Sequence, residues 1–425
     1  MFNFVKLIKN DEVKKYTANT VWVLLEKIIR MFTVLFVTAW VARYLKPDNF
    51  GYLNLAQSIV FIFTFLTTLG LDNVVVKNLV SCDKDSSKLL GTAFLLKLIG
   101  AIFVVGMLGG TLIWLDINAD LKLMIIIISL SLIFQSFNVI DFFFQSKVLS
   151  KYVSYSNFVV LAISSLTKIL LIAIDASVEY FAWVFVLDSL TLAIFLFYFY
   201  VKGEYKKITW DLDLSLAKKL LRESFPLILS SASVAIAMRL DQVMLYNYLS
   251  STEVGYYSAG VKLAEAAVFI PVAIINSVYP KLVKLDYKKD LFTLQKILIA
   301  PTLMLCVISI IVTLLSGFIS DAIFGTDYAS TSKVLSILIW TLPFTYIGAF
   351  IGRLMLIEGF SKFIFYRQLM ILILNVIFNI ILIPILGVVG AAIATLSSDI
   401  IINIFFHYAF KKTRHYHKLF FHWKN

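Results

Sequence analysis

Apolar runs of about twenty residues, each closed by a short polar stretch, recur along the whole chain, and that is the length a helix needs to cross a bilayer. Windows of this length place spans near 18–42, 51–71, 89–114, 122–146, 152–174, 178–201, 223–249, 254–280, 290–319, 334–357, 363–386 and 388–410. The break at Leu386-Gly387 is the shortest, so eleven spans is the alternative count. The runs are too long and continuous for the alternating strands of a membrane barrel. A helix satisfies its own backbone in lipid, so the expected fold class is all-α integral membrane.

A duplication organises these spans. Shifting the chain by 204 positions lays Tyr44-Leu45 on Tyr248-Leu249, Gly51-Tyr52 on Gly255-Tyr256, and Phe65 on Phe269, with no gap. The offset is close to half the chain, as expected for the internal repeats of transporters. The expected plan is a first six-helix bundle over 1–201, a basic linker over 202–222, a second six-helix bundle over 223–410, and a basic aromatic tail over 411–425.

Composition then removes the soluble alternatives. Hydrophobic residues make up 60% of the chain and charged ones 15%, with a mean hydropathy of +0.90. The stretch Met1–Tyr16 is amphipathic and mixed in charge, which does not read as a cleaved signal peptide. Two cysteines, Cys82 in a polar loop and Cys306 in an apolar run, predict no disulfide and no CxxC chemistry.

The net charge of +12 is mostly a topology signal. Alternate connections together with the two tails hold 26 Lys and Arg; the opposite set holds only Arg43, Lys46, Lys122 and Lys333. Positive charge stays on the inner side. Both termini are therefore expected in the cytoplasm, and the basic balance does not point to nucleic acid. The tail after Phe410 interleaves bases with aromatics and suits an anionic leaflet; His415, His417 and His422 there make no convincing metal site.

Eight cations remain inside spans, Lys27 among them, where an unpaired charge costs roughly 2.5–3.5 kcal/mol on insertion scales. Lys97, Lys168, Lys296 and Arg353 sit near enough to span ends to snorkel. Arg30 and Arg239 lie near mid-span and Lys262 at intermediate depth, so these three are candidates to line a cationic cavity. Glu26 with Arg30, and Lys262 with Glu265, have helical spacings that allow pairing. Arg239 and Asp241, two apart, point opposite ways. Asp141, Asp188, Asp241 and Asp399 are candidates for pairing or for coupling to H+ or Na+.

Prolines concentrate in the second half, at Pro226, Pro271, Pro280, Pro301, Pro343 and Pro384, so bent helices are expected there. Gly106-x-x-x-Gly110 and Gly348-x-x-x-Gly352 predict close helix packing. No Walker loop, HExxH or GxSxG motif is present, and every connection is short. Neither catalysis nor a cofactor is expected.

The opening spans resemble those of the Wzx-type polysaccharide flippases, within the MATE-like multidrug/oligosaccharidyl-lipid/polysaccharide exporter superfamily. Asn19, the run Ala42-Arg43-Tyr44-Leu45-Lys46-Pro47-Asp48-Asn49-Phe50-Gly51, and Gly70-Leu71-Asp72 with Lys77 carry the resemblance. Lys46 stands where that family usually has glycine, and Lys77 where it often has arginine. The resemblance implies a flippase of the bacterial inner membrane that moves polyprenyl-pyrophosphate-linked oligosaccharide outward by alternating access. It also implies a cationic cavity, in which Arg30 has a compatible position, membrane lipids around it, and polysaccharide polymerase machinery as a partner. A cation-coupled multidrug exporter of the same superfamily and a membrane-embedded glycan polymerase or ligase are the alternatives.

Overall fold

A computed structural model describes residues 11–81, 86–203, 210–287 and 289–421. Cys82, part of the 202–222 linker and His422 lie outside them. All regular structure among the described residues is helical, and eleven helical stretches are long and apolar enough to span a membrane. Ten correspond one to one with expected spans. The eleventh, Leu25–Ile62, covers ground that the hydropathy pattern divides in two. The division survives as a break at Lys46, with φ 62° and ψ 166° inside α1 (Asp11–Ile62). Pro47 contributes to it, because a proline disfavours helix at the residue before it and favours the extended ψ seen there. Gly387, at φ 59°, keeps the last two spans separate.

The chain forms two compact units: Met1–Tyr44 with Ala56–Ala235, and Leu45–Leu55 with Ile236–Asn425.

The first unit continues from α1 through α2 (Thr64–Thr68), α3 (Leu71–Ser81), α4 (Ser86–Trp114) and α5 (Ala119–Gln135). A 3-10 turn at Ser136–Asn138 leads to α6 (Val139–Ser146), α7 (Ser150–Ala173), α8 (Val178–Lys202) and the first part of α9 (Leu214–Tyr248). Its core gathers Leu71, Val75, Leu90, Val139, Phe143 and Leu220. Asn118 caps α5, accepting from the Asp120 N–H at 2.7 Å, and Asp213 caps α9, accepting from the Leu216 N–H at 3.1 Å. Residues 214–222, expected as linker, are therefore helix. Trp210 packs edge-on to Phe94 with centroids 4.9 Å apart, and the Asp213 N–H donates to Thr92 Oγ1 at 3.1 Å, which ties the end of the linker to the bundle.

Prolines are the expected cause of helix bends, yet the first unit has two breaks without any, beyond the single-residue turn at Phe63. Leu69 and Gly70 both take positive φ between α2 and α3. A Cβ at Gly70 would come within 2.9 Å of the Ile228 nitrogen, so this approach needs glycine. The second break is the 3-10 turn after Gln135.

The second unit contains the rest of α9, then α10 (Ser251–Ala267), α11 (Phe269–Leu282), α12 (Leu291–Phe324), a 3-10 turn at Thr326–Tyr328, α13 (Thr331–Leu338), α14 (Thr341–Ile357), α15 (Ser361–Leu386) and α16 (Val388–Ala409). Proline frees a carbonyl four residues back, and side chains satisfy two of those. Tyr346 donates to Ile297 O, ahead of Pro301, at 2.7 Å; Ser309 donates to Ile339 O, ahead of Pro343, at 3.0 Å.

One expectation fails against this packing. Among the described residues nothing lies within 4 Å of where a Cβ on Gly106 or Gly110 would stand, so none of the described helices packs closely on that pair, whereas Gly348 and Gly352 are approached by the side chains of Asn403 and Arg367. The described part of the tail docks on its own unit. Tyr416 and Leu419 are fully buried, Gln295 donates to Lys418 O at 2.9 Å, and Tyr287 donates to His415 O. His415 lies 3.2 Å from the Glu358 carboxylate.

Candidate functional site

The two mid-span arginines each sit in a charged or polar cluster, and each cluster lies within one unit. In the first, Arg30 Nε donates to Glu26 Oε1 at 2.6 Å, the pair that the spacing of four predicts. Glu26 is buried, while the Arg30 side chain keeps 45% of its surface exposed. The guanidinium is thus held at one edge and open at the other. Asp188 on α8 accepts from Ser164 on α7 at 3.0 Å, and the charges of Lys168 and Arg30 both act on its carboxylate. Two acids and two bases from α1, α7 and α8 form this cluster.

Lys97 does not snorkel. It is 3% exposed, with the ammonium 3.5 Å from Asp72 and 4.7 Å from the Phe142 ring centre. Arg353, by contrast, lies over Tyr279 and reaches Asn276 at 3.4 Å.

In the second unit Arg239 and Asp241 diverge as the helical geometry requires. Arg239 Nη1 reaches Glu265 on α10 at 3.2 Å. Asp241 is buried, accepting from the Tyr257 hydroxyl and the Gln242 N–H. The polar chain continues from Tyr257 to Thr395, which accepts from Asn375 Nδ2 at 3.2 Å, and Asn379 Nδ2 donates to Asn375 at 2.9 Å. The Asn379 side-chain oxygen is buried without a hydrogen-bond partner among the described residues. Lys262 is half-buried on the same helix as Glu265.

The hydropathy pattern puts Arg367 in a connection. The structure instead buries it at 5% exposure in α15, where it donates to Gly348 O and acts on the Asp399 carboxylate. Tyr257, Asn375, Asn379 and Thr395 are also absent from the residues nominated by depth and charge. Asn375 and Asn379, four apart on a strongly apolar span, were the available signal, because a polar pair on one face of a lipid-spanning helix needs partners. Among the described residues no group of three or more His, Cys, Asp or Glu could hold a metal ion.

A family model described as polysaccharide biosynthesis protein matches residues 16–286, well over half of the chain. The chain belongs to that family. This agrees with the Wzx-type resemblance read from the opening motif. A relative, capsular polysaccharide biosynthesis protein CapF of Staphylococcus aureus, is 25% identical over 385 residues, covering 88% of this chain and 93% of the relative. Among solved structures, the lipid II flippase MurJ in an inward closed conformation superposes with a TM-score of 0.75 at 16% identity, covering 92% of this chain and 87% of MurJ. An inward-facing multidrug resistance transporter of the MATE family and MOP superfamily gives 0.72 at 13% identity, covering 93% and 99%. The family member therefore has a fold shared with lipid flippases and drug transporters, a multi-pass membrane bundle.

Proposed function

We propose that this protein is a flippase for polyprenyl-pyrophosphate-linked oligosaccharide, carrying repeat units of an O-antigen, capsule or exopolysaccharide from the cytoplasmic to the outer face of the bacterial inner membrane. The observation that carries the reading is the membership in the polysaccharide biosynthesis family together with arginines inside the spans. Arg30 and Arg239 each hold a carboxylate with part of a guanidinium whose fork matches phosphate oxygens. Alternating access follows the fold's internal repeat. With the cell interior negative, outward movement of an anion is favoured by about 2.3 kcal/mol per charge per 100 mV. Both termini lie in the cytoplasm on this reading, as the lysine and arginine distribution supports.

Asp241 supplies the coupling. Its buried carboxylate, the Tyr257 hydroxyl, Thr395 and the Asn379 oxygen form an oxygen-rich path that suits H+ or Na+. The polymerase machinery acts on the product outside, and this chain does no bond-making of its own.

The test is a deletion strain. The lipid-linked repeat unit should accumulate out of reach of an outside-acting glycosidase in intact spheroplasts, become reachable on lysis, and be cleared by the wild-type gene but not by Arg239→Ala. Repeat units that reach the outer face unpolymerised in the deletion strain would reject the flippase reading in favour of a polymerase or ligase. The shared fold with MATE transporters favours one competitor, a cation-coupled drug exporter, which predicts drug sensitivity in the same strain with the glycan intact.

A further inference from the structure

The first unit holds a cavity of about 580 Å3 among α2, α3, α4, α5 and α6, apart from the Glu26, Arg30 and Asp188 cluster. That volume lies in the range of small-ligand pockets and is many times the roughly 30 Å3 share of one water. It is also deep. At 1.5 Å per residue, Lys97 stands about 16 Å from the start of α4, and Ser136 about 15 Å from the end of α6. Both proline-free breaks of this unit border it, the turn at Leu69-Gly70 and the 3-10 turn at Ser136–Asn138. Irregular backbone at such depth is tolerated where it lines a cavity.

The lining is polar and its charges balance. Asp72 is held by Lys97 at 3.5 Å, Asp141 accepts from Gln145 at 3.1 Å, and Lys77 stands at the wall with Asn138. A phosphate entering here would meet two carboxylates. A bare cation would meet the Lys97 ammonium, already engaged with the nearer acid. What remains favourable is an uncharged ligand able to donate and accept at many points. Ser136 adds an observation of its own: it lines the cavity at 1% exposure, and its hydroxyl is buried without a hydrogen-bond partner among the described residues. A buried hydroxyl without a partner costs about 1–3 kcal/mol, which a bound hydroxylated ligand would offset.

We propose that this cavity is a recognition subsite for an uncharged pyranose residue, whose hydroxyls bridge Asp141, Ser136 and Asn138. It rests on the transport reading only in naming that sugar as part of the cargo. The binding chemistry stands by itself, so it is read without transport. Purified full-length protein in lipid nanodiscs is titrated with glucose, galactose and N-acetylglucosamine, and separately with glucuronate, phosphate, phosphoethanolamine and sodium chloride, using saturation-transfer NMR. At least one neutral sugar should bind saturably with a Kd on the order of 1 mM. Asp141→Asn and Ser136→Ala should each weaken it about threefold to tenfold, the value of one hydrogen bond, and Asn138→Leu should abolish it by filling the space. Gln145→Ala at the rim, with an unchanged melting temperature, replaces any variant that fails to fold.

Absence of saturable binding by all three neutral sugars overturns the proposal. So does preferential binding of phosphate, glucuronate, phosphoethanolamine or sodium that depends on the same residues, or sugar binding indifferent to these variants. Failure of sugar binding alongside the expected inner-face accumulation in the deletion strain would sink the subsite alone. Sugar binding as expected, with export of the repeat unit unaffected by deleting the gene, would sink the transport reading alone.

Discussion

Gly51 and Gly255, equivalent positions of the two sequence repeats, pack against each other's helix starts within the second unit. A Cβ on Gly51 would run into the Ser251 carbonyl and come 2.9 Å from the Gly255 nitrogen, and one on Gly255 would run into the Pro47 carbonyl. Polar contacts surround this backbone approach: Ser251 donates to Asp48, and Lys46 reaches Asp327 at 2.5 Å. The repeat thus explains its own glycines. Neither is there for turn geometry, since both lie in helices without positive φ; each is there because another backbone occupies the space of a side chain.

Gly51→Ala and Gly255→Ala should therefore each destabilise the purified protein by about 1–3 kcal/mol of overpacking, read as a lower melting temperature. The double variant should lose less than the sum, because both force apart the same backbone approach. Gly106→Ala, with open space around it, should be neutral or stabilising by roughly 0.5–1 kcal/mol through helix propensity. Equal losses at all three glycines would contradict the packing.

Arg239 provides the sharpest transport test. Arg239→Ala should reduce appearance of the repeat unit on the outer face at least about tenfold, the loss expected for a charge-assisted contact of about 1.5–3 kcal/mol. Arg239→Lys should recover part of it, since charge returns without the fork. Glu265→Gln, which releases the guanidinium from its carboxylate, should leave export closer to wild type than Arg239→Ala does.

Asp241→Asn and Tyr257→Phe, measured in vesicles with imposed H+ or Na+ gradients, should remove the dependence of export on the coupling gradient while leaving the protein folded. Retention of full gradient dependence in Asp241→Asn would move the coupling site elsewhere.

At the start of α9, Asp213 accepts from the Ser215 hydroxyl at 2.6 Å, the Leu216 N–H at 3.1 Å and the Ser215 N–H at 2.9 Å. The Ser215 hydroxyl first, and then these N–H groups, hold its carboxyl below the usual range. A depressed folded-state pKa contributes stability above the unfolded value of about 3.9, and that stability is lost as pH falls through the folded pKa. Melting curves below about pH 4 should therefore show less acid sensitivity in Asp213→Asn, which keeps the cap, than in wild type. Asp213→Ala should lower the melting temperature at neutral pH.

The docked tail gives an alkaline counterpart. Burial, then the Glu358 charge, pushes the pKa of the Tyr287 and Tyr416 hydroxyls above the normal tyrosine range. A raised pKa keeps its contribution below the unfolded value of about 10 and loses it as pH climbs toward the folded one. Trypsin cleavage after Arg414 and Lys418 should accelerate above about pH 10, and Tyr416→Ala should produce the same acceleration at pH 7.

Ten of the spanning helices follow from local period and spacing, because twenty apolar residues have few other ways to satisfy a backbone in lipid. The same spacing predicts the Glu26–Arg30 pair, four apart on one helix. The offset of the glycine and tyrosine pairs is what the duplication is read from, and the opening motif carries the resemblance to the family that the family model matches. What spacing does not contain is the identity of a neighbour on another helix. Lys97 and Arg367 look like residues of span ends, yet Asp72 and Asp399 come to them across helices and make burial tolerable. Arg239 finds Glu265, not Asp241, for the same reason.

The helix interruptions divide along that line as well. The break at Lys46 has a local contributor, because Pro47 disfavours helix at the preceding residue; Pro226, Pro280, Pro301 and Pro384 are nonetheless carried inside helices, so the local signal alone does not fix a break. The breaks at Leu69-Gly70 and Ser136–Asn138 arise from the folded arrangement, since no residue there forbids a helix. The close approach of Leu227 and Ile228 at the first, and at the second a polar cavity able to accept irregular backbone, set the conformation that local propensity leaves open.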